Sequence, residues 1–151
     1  MSKKEGMIDI SGKPPVAREA KACGRIFLRE ETIKAIMKSG IGKGDVREIT
    51  KAVALLAVKR TPELLPFCHP IPIEWIGFDM NVGDNYVEVC VTVKTTAKTG
   101  VEMEAIVGTL TALANIWDMV KSLEKDERGQ YPVTRITDVR VEFKHKSSTN
   151  Y

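Results

Sequence analysis

The chain has 151 residues, 43% hydrophobic and 28% charged, with a formal net charge of +3, a balance that suits one soluble globular domain with a sizeable core. No run of about 18 apolar residues occurs, and the lysine-rich start leads into no apolar stretch, so neither a signal peptide nor a membrane span is expected and the cytoplasm is the default location. Three cysteines, Cys23, Cys68 and Cys90, are odd in number and widely spaced, which argues against a disulfide framework and for a reducing compartment. With no Cys-x-x-Cys and only His69 and His145, no zinc ligand set is recognisable and no metal site is expected.

Residues 1–22, with Gly12-Lys13-Pro14-Pro15, show neither helical nor strand period and read as an extended arm; residues 23–151 read as a single α+β domain. A short strand is expected at 25–28, and a helix from Glu30 to Ser39 on the spacing of Ile33, Ile36 and Met37, closed by Gly40. Asp45 is a plausible N-cap for a second helix, in which Ile49, Val53, Leu56 and Ala57 recur at helical intervals up to about Arg60. The stretch Pro66-Phe67-Cys68-His69-Pro70 follows, and its two prolines oppose a continuing helix and stiffen the corner.

Ile76, Phe78, Met80 and Val82 alternate with polar or small residues, and after Gly83-Asp84-Asn85 so do Val87, Val89, Val91 and Val93, which is a β-hairpin with one buried face. Met103, Ile106, Leu110, Leu113, Trp117 and Val120 then repeat at three and four residues, a helix of about 22 residues or ~33 Å. Gly129 to Pro132 breaks it, and Val139, Val141 and Phe143 alternate as a last strand. The succession β, α, α, β, β, α, β suits an antiparallel sheet with helices packed on one face, an α+β fold of ferredoxin-like type.

Several residues invite chemistry. Asp118 and Lys121 share a face of the long helix, as a solvated i, i+3 ion pair or as a carboxylate tuning a catalytic ammonium. Glu104 lies on nearly the same face but ~21 Å away along the axis. One small ligand cannot touch both from one helix; if both act, the ends of two copies must meet. Lys43-Gly44 stands before a helix N-terminus, a place that favours an anion but is equally an ordinary turn. Cys68 beside His69 suggests a thiol nucleophile, yet adjacent residues seldom form such a pair, and a buried small cysteine fits as well. His69 could exchange protons, anchor a ligand by a hydrogen bond, or serve structure alone.

Met7-Ile8-Asp9-Ile10-Ser11, Arg18-Glu19-Ala20, Lys43-Gly44-Asp45-Val46, Lys59-Arg60-Thr61, Cys68-His69-Pro70, Lys98-Thr99-Gly100-Val101-Glu102-Met103-Glu104-Ala105 and Asp118-Met119 with Lys121 together resemble the molybdenum cofactor biosynthesis protein C family, cyclic pyranopterin monophosphate synthase. The resemblance implies a lyase that converts 3′,8-cyclo-7,8-dihydroguanosine 5′-triphosphate to cyclic pyranopterin monophosphate with release of diphosphate. It also implies a homohexamer, a trimer of dimers, with sites between subunits and a small nucleotide-derived substrate as partner, with no nucleic acid and no membrane. Carried over by motif, Asp118, Lys121 and Lys43 are catalytic, while Phe67, Cys68, His69, Met103 and Glu104 contact substrate. Arg18, Lys59 and Lys146 transfer more weakly as phosphate contacts. No cofactor is implied, and a role for magnesium is left open. One departure stands out: where the family often carries Gly-Gly-Lys-Ser-Gly, this chain has Lys144-His145-Lys146-Ser147-Ser148, which keeps the Lys-Ser pair without its glycines. The competing expectation is an RNA-binding module, for which Trp75 and Tyr86 would be the stacking candidates.

Overall fold

Alternating β-branched residues and three segments of helical period build, in the computed structural model, an antiparallel sheet with helices on one side; residues 3–38 and 44–147 are described. In chain order the elements are β1 (Val16–Phe27), α1 (Glu30–Met37), α2 (Val46–Lys59), the single turn α3 (Thr61–Leu64), β2 (Trp75–Val82), β3 (Tyr86–Ala97), α4 (Glu102–Glu124) and β4 (Arg135–Lys146). The strands lie in the order β2-β3-β1-β4, and all three pairings are antiparallel. With α1 to α3 taken as one crossover, the succession is the β-α-β-β-α-β expected of a ferredoxin-like unit.

β1 begins well before the expected 25–28, so residues 16–22 belong to the sheet and not to the arm. Its inward residues, Ala20 and Ala22, are too small to stand out as an apolar alternation. The strand is defined instead by pairing on both sides, from Val16↔Ala97 to Phe27↔Tyr86 with β3, and from Arg18↔Lys146 with β4. The hairpin of β2 and β3 is as expected: Val87, Val89, Val91 and Val93 are all fully buried. They meet Ala105, Ala112, Leu113 and Ile116 of α4 in one core cluster.

The buried stripe of α4 is not the one that the large apolar residues suggest. Ala105, Gly108, Thr109, Ala112, Leu113, Ile116, Met119 and Val120 face inward, whereas Met103 and Leu110 are exposed. Small residues win the inward face because α4 packs closely against both the sheet and α2, where a Cβ on Gly108 would come within 2.7 Å of Val58 and 3.3 Å of Val91. A Cβ on Gly24 of β1 would come within 2.8 Å of Leu113 and 2.9 Å of Val139, so only glycine admits the helix that close. α2 shows the same displacement: Val46, Thr50, Ala54, Ala57 and Val58 are buried, while Ile49 and Leu56 point outward. Asp45 caps this helix as expected, accepting from Glu48 N at 3.1 Å. The far end of α4 is tied down by the buried Glu124 carboxylate, which accepts from Arg29 N, Thr32 Oγ1 and Thr134 Oγ1. That carboxylate closes the start of α1, which has no side-chain cap of its own.

The cysteine expectation is overturned. Cys23 and Cys90 stand opposite each other in the β1–β3 register and form a disulfide, leaving Cys68 as the free thiol. Both sulfurs sit on the sheet face away from α4. That face also carries Arg25 and Glu88, paired at 2.9 Å, with Arg25 lying over the Tyr86 ring. No helix among the described residues is long and apolar enough to cross a membrane.

Candidate active site

The corner between α2 and β2 is built from short-range constraints. Pro62 sits in the first turn of α3, a position where its missing N–H costs nothing. Leu65 then leaves the helix, and Cys68 N returns to Leu65 O at 2.9 Å, turning the chain. α3 itself escaped the sequence reading because four residues carry no period. The turn places Phe67, Cys68 and His69 along one wall of a cleft of about 450 Å³. Thr99, Gly100, Glu102 and Met103, where β3 runs into α4, line it too, together with Ile8, Ile10 and Lys13 of the N-terminal segment. Five of the expected substrate-contact residues therefore come together: Phe67, Cys68, His69 and Met103 line the cleft, and Glu104 lies directly behind Cys68.

Glu104 is 2% exposed, accepts from Cys68 Sγ at 3.5 Å through Oε1, and has no partner on Oε2 among the described residues. Burial holds its carboxyl above the usual carboxylate range. Burial, followed by the charge of Glu104, pushes the Cys68 thiol up to about 11. A thiol so placed stays protonated and donates to Glu104. The nucleophile-base reading of Cys68 and His69 thus loses ground to a pocket wall with a buried carboxyl behind it.

At the other end of α4, Lys121 Nζ donates to Asp118 Oδ1 at 2.9 Å, with both side chains substantially exposed. That hydrogen bond, reinforced by the carboxylate's charge, raises Lys121 above its ordinary value and keeps it a cation. Asp118 and Lys121 do not line the cleft; ~21 Å of helix axis separates Asp118 from Glu104. Lys43 lies outside the described residues, as does Gly40. Lys59 ends α2 and is exposed, away from the cleft lining. Arg18 donates to Ala97 O at 3.1 Å and Lys98 O at 3.4 Å, so it braces the segment leading into the cleft. It also shares a second hollow, of about 390 Å³, with Lys94, His145 and Lys146. Lys146 of the C-terminal tail is thus beside Arg18, its partner in the sheet register.

The sequence reading missed Ile8, Ile10 and Lys13 as cleft residues. The available signal was Met7-Ile8-Asp9-Ile10-Ser11 itself, a motif match to which composition and period assigned no task. Trp75 is half exposed with Lys94 Nζ 4.9 Å from its ring centre, while Tyr86 is engaged by Phe27 and Arg25. The two aromatics stand at opposite ends of the β2–β3 hairpin and make no stacking platform. Among the described residues no cluster of His, Cys, Asp and Glu could hold a metal ion.

The model of the MoaC family matches residues 7–147. A protein of Aeropyrum pernix named "probable cyclic pyranopterin monophosphate synthase" is 57% identical over 141 residues, covering 93% of this chain and 97% of the relative. Proteins with the same name from Methanoregula boonei and Pyrococcus abyssi are 54% and 52% identical, each over 93% of this chain, covering 90% and 89% of the relative respectively. With the family model spanning nearly its whole length, the chain belongs to the MoaC family.

Proposed function

We propose that this chain is a cyclic pyranopterin monophosphate synthase, a lyase converting 3′,8-cyclo-7,8-dihydroguanosine 5′-triphosphate to cyclic pyranopterin monophosphate with release of diphosphate. The observation that carries the reading is the cleft in which the Cys68-His69 corner meets the Thr99–Glu104 segment, backed by the buried carboxyl of Glu104. It has the size of a nucleotide-scale site. Proton transfers at nitrogen and oxygen suit Asp118 as the base of its pair and Lys121, held cationic, as the acid. Closing a cyclic phosphate while diphosphate leaves spreads negative charge, which Lys121, Lys43 and the Arg18 region would offset.

Because Asp118 and Lys121 sit a helix length from the cleft, the proposal requires that one copy's Asp118 end complete another copy's cleft, in a homohexamer arranged as a trimer of dimers. The outward apolar residues of α2 and α4, Ile49, Leu56 and Leu110, support burial against another copy. A cytoplasmic location goes with a biosynthetic role on a nucleotide. The disulfide is compatible with it, because Cys23 and Cys90 are buried and poorly accessible to thiol exchange.

The direct test supplies the cyclised guanosine triphosphate to the purified assembly and looks for pterin product and diphosphate. Asp118→Asn and Lys121→Ala are expected to lose at least 100-fold in turnover with the assembly intact. Full activity in both variants would remove the site assignment, and no product from the native assembly would remove the function.

A further inference from the structure

The segment from Ile8 to Lys13 contributes Ile8, Ile10 and Lys13 to the cleft lining and is held there at two places outside itself. Lys98 Nζ donates to Ser11 O at 3.3 Å, and the His69 ring meets Ile8 O through Nε2 at 2.8 Å. Within the segment, Asp9 Oδ1 accepts from Ser11 N at 2.9 Å and from Ser11 Oγ at 2.6 Å, and Lys13 N closes a turn on Ile10 O at 3.0 Å. The segment therefore has a shape of its own, an Asp-initiated turn followed by a second turn.

A carbonyl oxygen can only accept, so the 2.8 Å contact requires the hydrogen of the imidazole to be on Nε2. In the neutral ring this makes Nδ1 the lone-pair nitrogen, and Nδ1 has no partner among the described residues. His69 lines the cleft. With Nε2 committed to the segment, Nδ1 is the ring nitrogen left for a bound molecule. We propose that residues 8–13 are a positioning strap for His69: Ile8 O fixes the ring and its tautomer, and reserves Nδ1 as a hydrogen-bond acceptor for an N–H or O–H group of the substrate. Ile8 acts through its backbone, and the strap residues act through His69. The acceptor role rests on the function proposed above, whereas the strap itself does not.

The test reads the two parts separately. The chain has only two histidines, so a nitrogen-15 spectrum of the imidazoles is simple, and His145→Gln assigns it. In the full-length protein above the histidine titration, His69 should show a protonated Nε2 whose hydrogen exchanges with water at least 10-fold more slowly than that of His145. Lys98→Ala, and the double variant Asp9→Ala/Lys98→Ala, should abolish that slow exchange. In the same variants KM for the cyclised guanosine triphosphate should rise roughly 2- to 10-fold, the worth of one hydrogen bond, with kcat changed less than twofold. The single variant removes only one exposed amine contact, so it keeps the test alive if the double variant misfolds. A protonated Nδ1, or an Nε2 hydrogen as exchangeable as that of His145, overturns the strap. Slow exchange lost in the variants with KM unmoved overturns the acceptor role. A native assembly that shows the slow hydrogen but turns over no substrate refutes the functional reading and the acceptor role while upholding the strap.

Discussion

Reducing the Cys23–Cys90 bond is expected to cost the fold a large part of its stability. The two residues are 67 apart in sequence, and the chain-entropy relation for a loop of that length gives about 4 kcal/mol at 25 °C. In a domain of this size each kcal/mol moves the thermal midpoint by about 2–4 °C, so reduction should lower Tm by roughly 8–16 °C. The bond joins directly opposed residues of the two central strands, so its loss frees the unfolded chain without deleting core side chains. Because both sulfurs are buried, the protein is reduced after unfolding, refolded with a phosphine reductant, and scanned beside the oxidised sample at equal protein concentration. Thiol titration supplies the check on chemistry: one reactive thiol per unfolded oxidised chain, three after reduction. Three thiols in the oxidised protein, or equal midpoints for the two forms, would refute the reasoning.

Cys68, with its thiol pushed up to about 11 by burial and by Glu104, should carry about a hundredfold less thiolate at pH 8 than an ordinary cysteine; native alkylation should be correspondingly slow and should quicken in Glu104→Gln. Burial raises Glu104 itself. A carboxyl whose folded value exceeds its unfolded one favours the fold at low pH and withdraws that contribution as pH rises through the folded value. Glu104→Gln should therefore raise Tm at pH 8, with the gain vanishing as pH falls toward 4.5 and below; an equal shift at both ends of the range would contradict this. Gly24→Ala places a Cβ against Leu113 and Val139, and with Leu113 fully buried the crowding should cost ~1–3 kcal/mol, read as a lower denaturant midpoint. An unchanged midpoint would show that α4 can move off the sheet.

The sequence alone determined the features that depend on near neighbours. Asp45 as a cap, the β2–β3 alternation, the length of α4 and the proline-bounded corner at Cys68-His69 are all set within a few residues, so period and turn chemistry reveal them. The family motifs likewise travel in the sequence, and the separation of Glu104 from Asp118 follows from helix rise alone. Tertiary structure decided the rest. Which stripe of α4 faces inward depends on how closely Gly24, Ala105 and Gly108 let α4 approach the sheet and α2, and large apolar residues mislead where packing demands small ones. That Cys23 meets Cys90 follows from strand register, and that Ile8 reaches His69 follows from where β1 enters the sheet. Contacts between segments some sixty residues apart leave no mark on local spacing. They exist only once the core has fixed the directions of the strands.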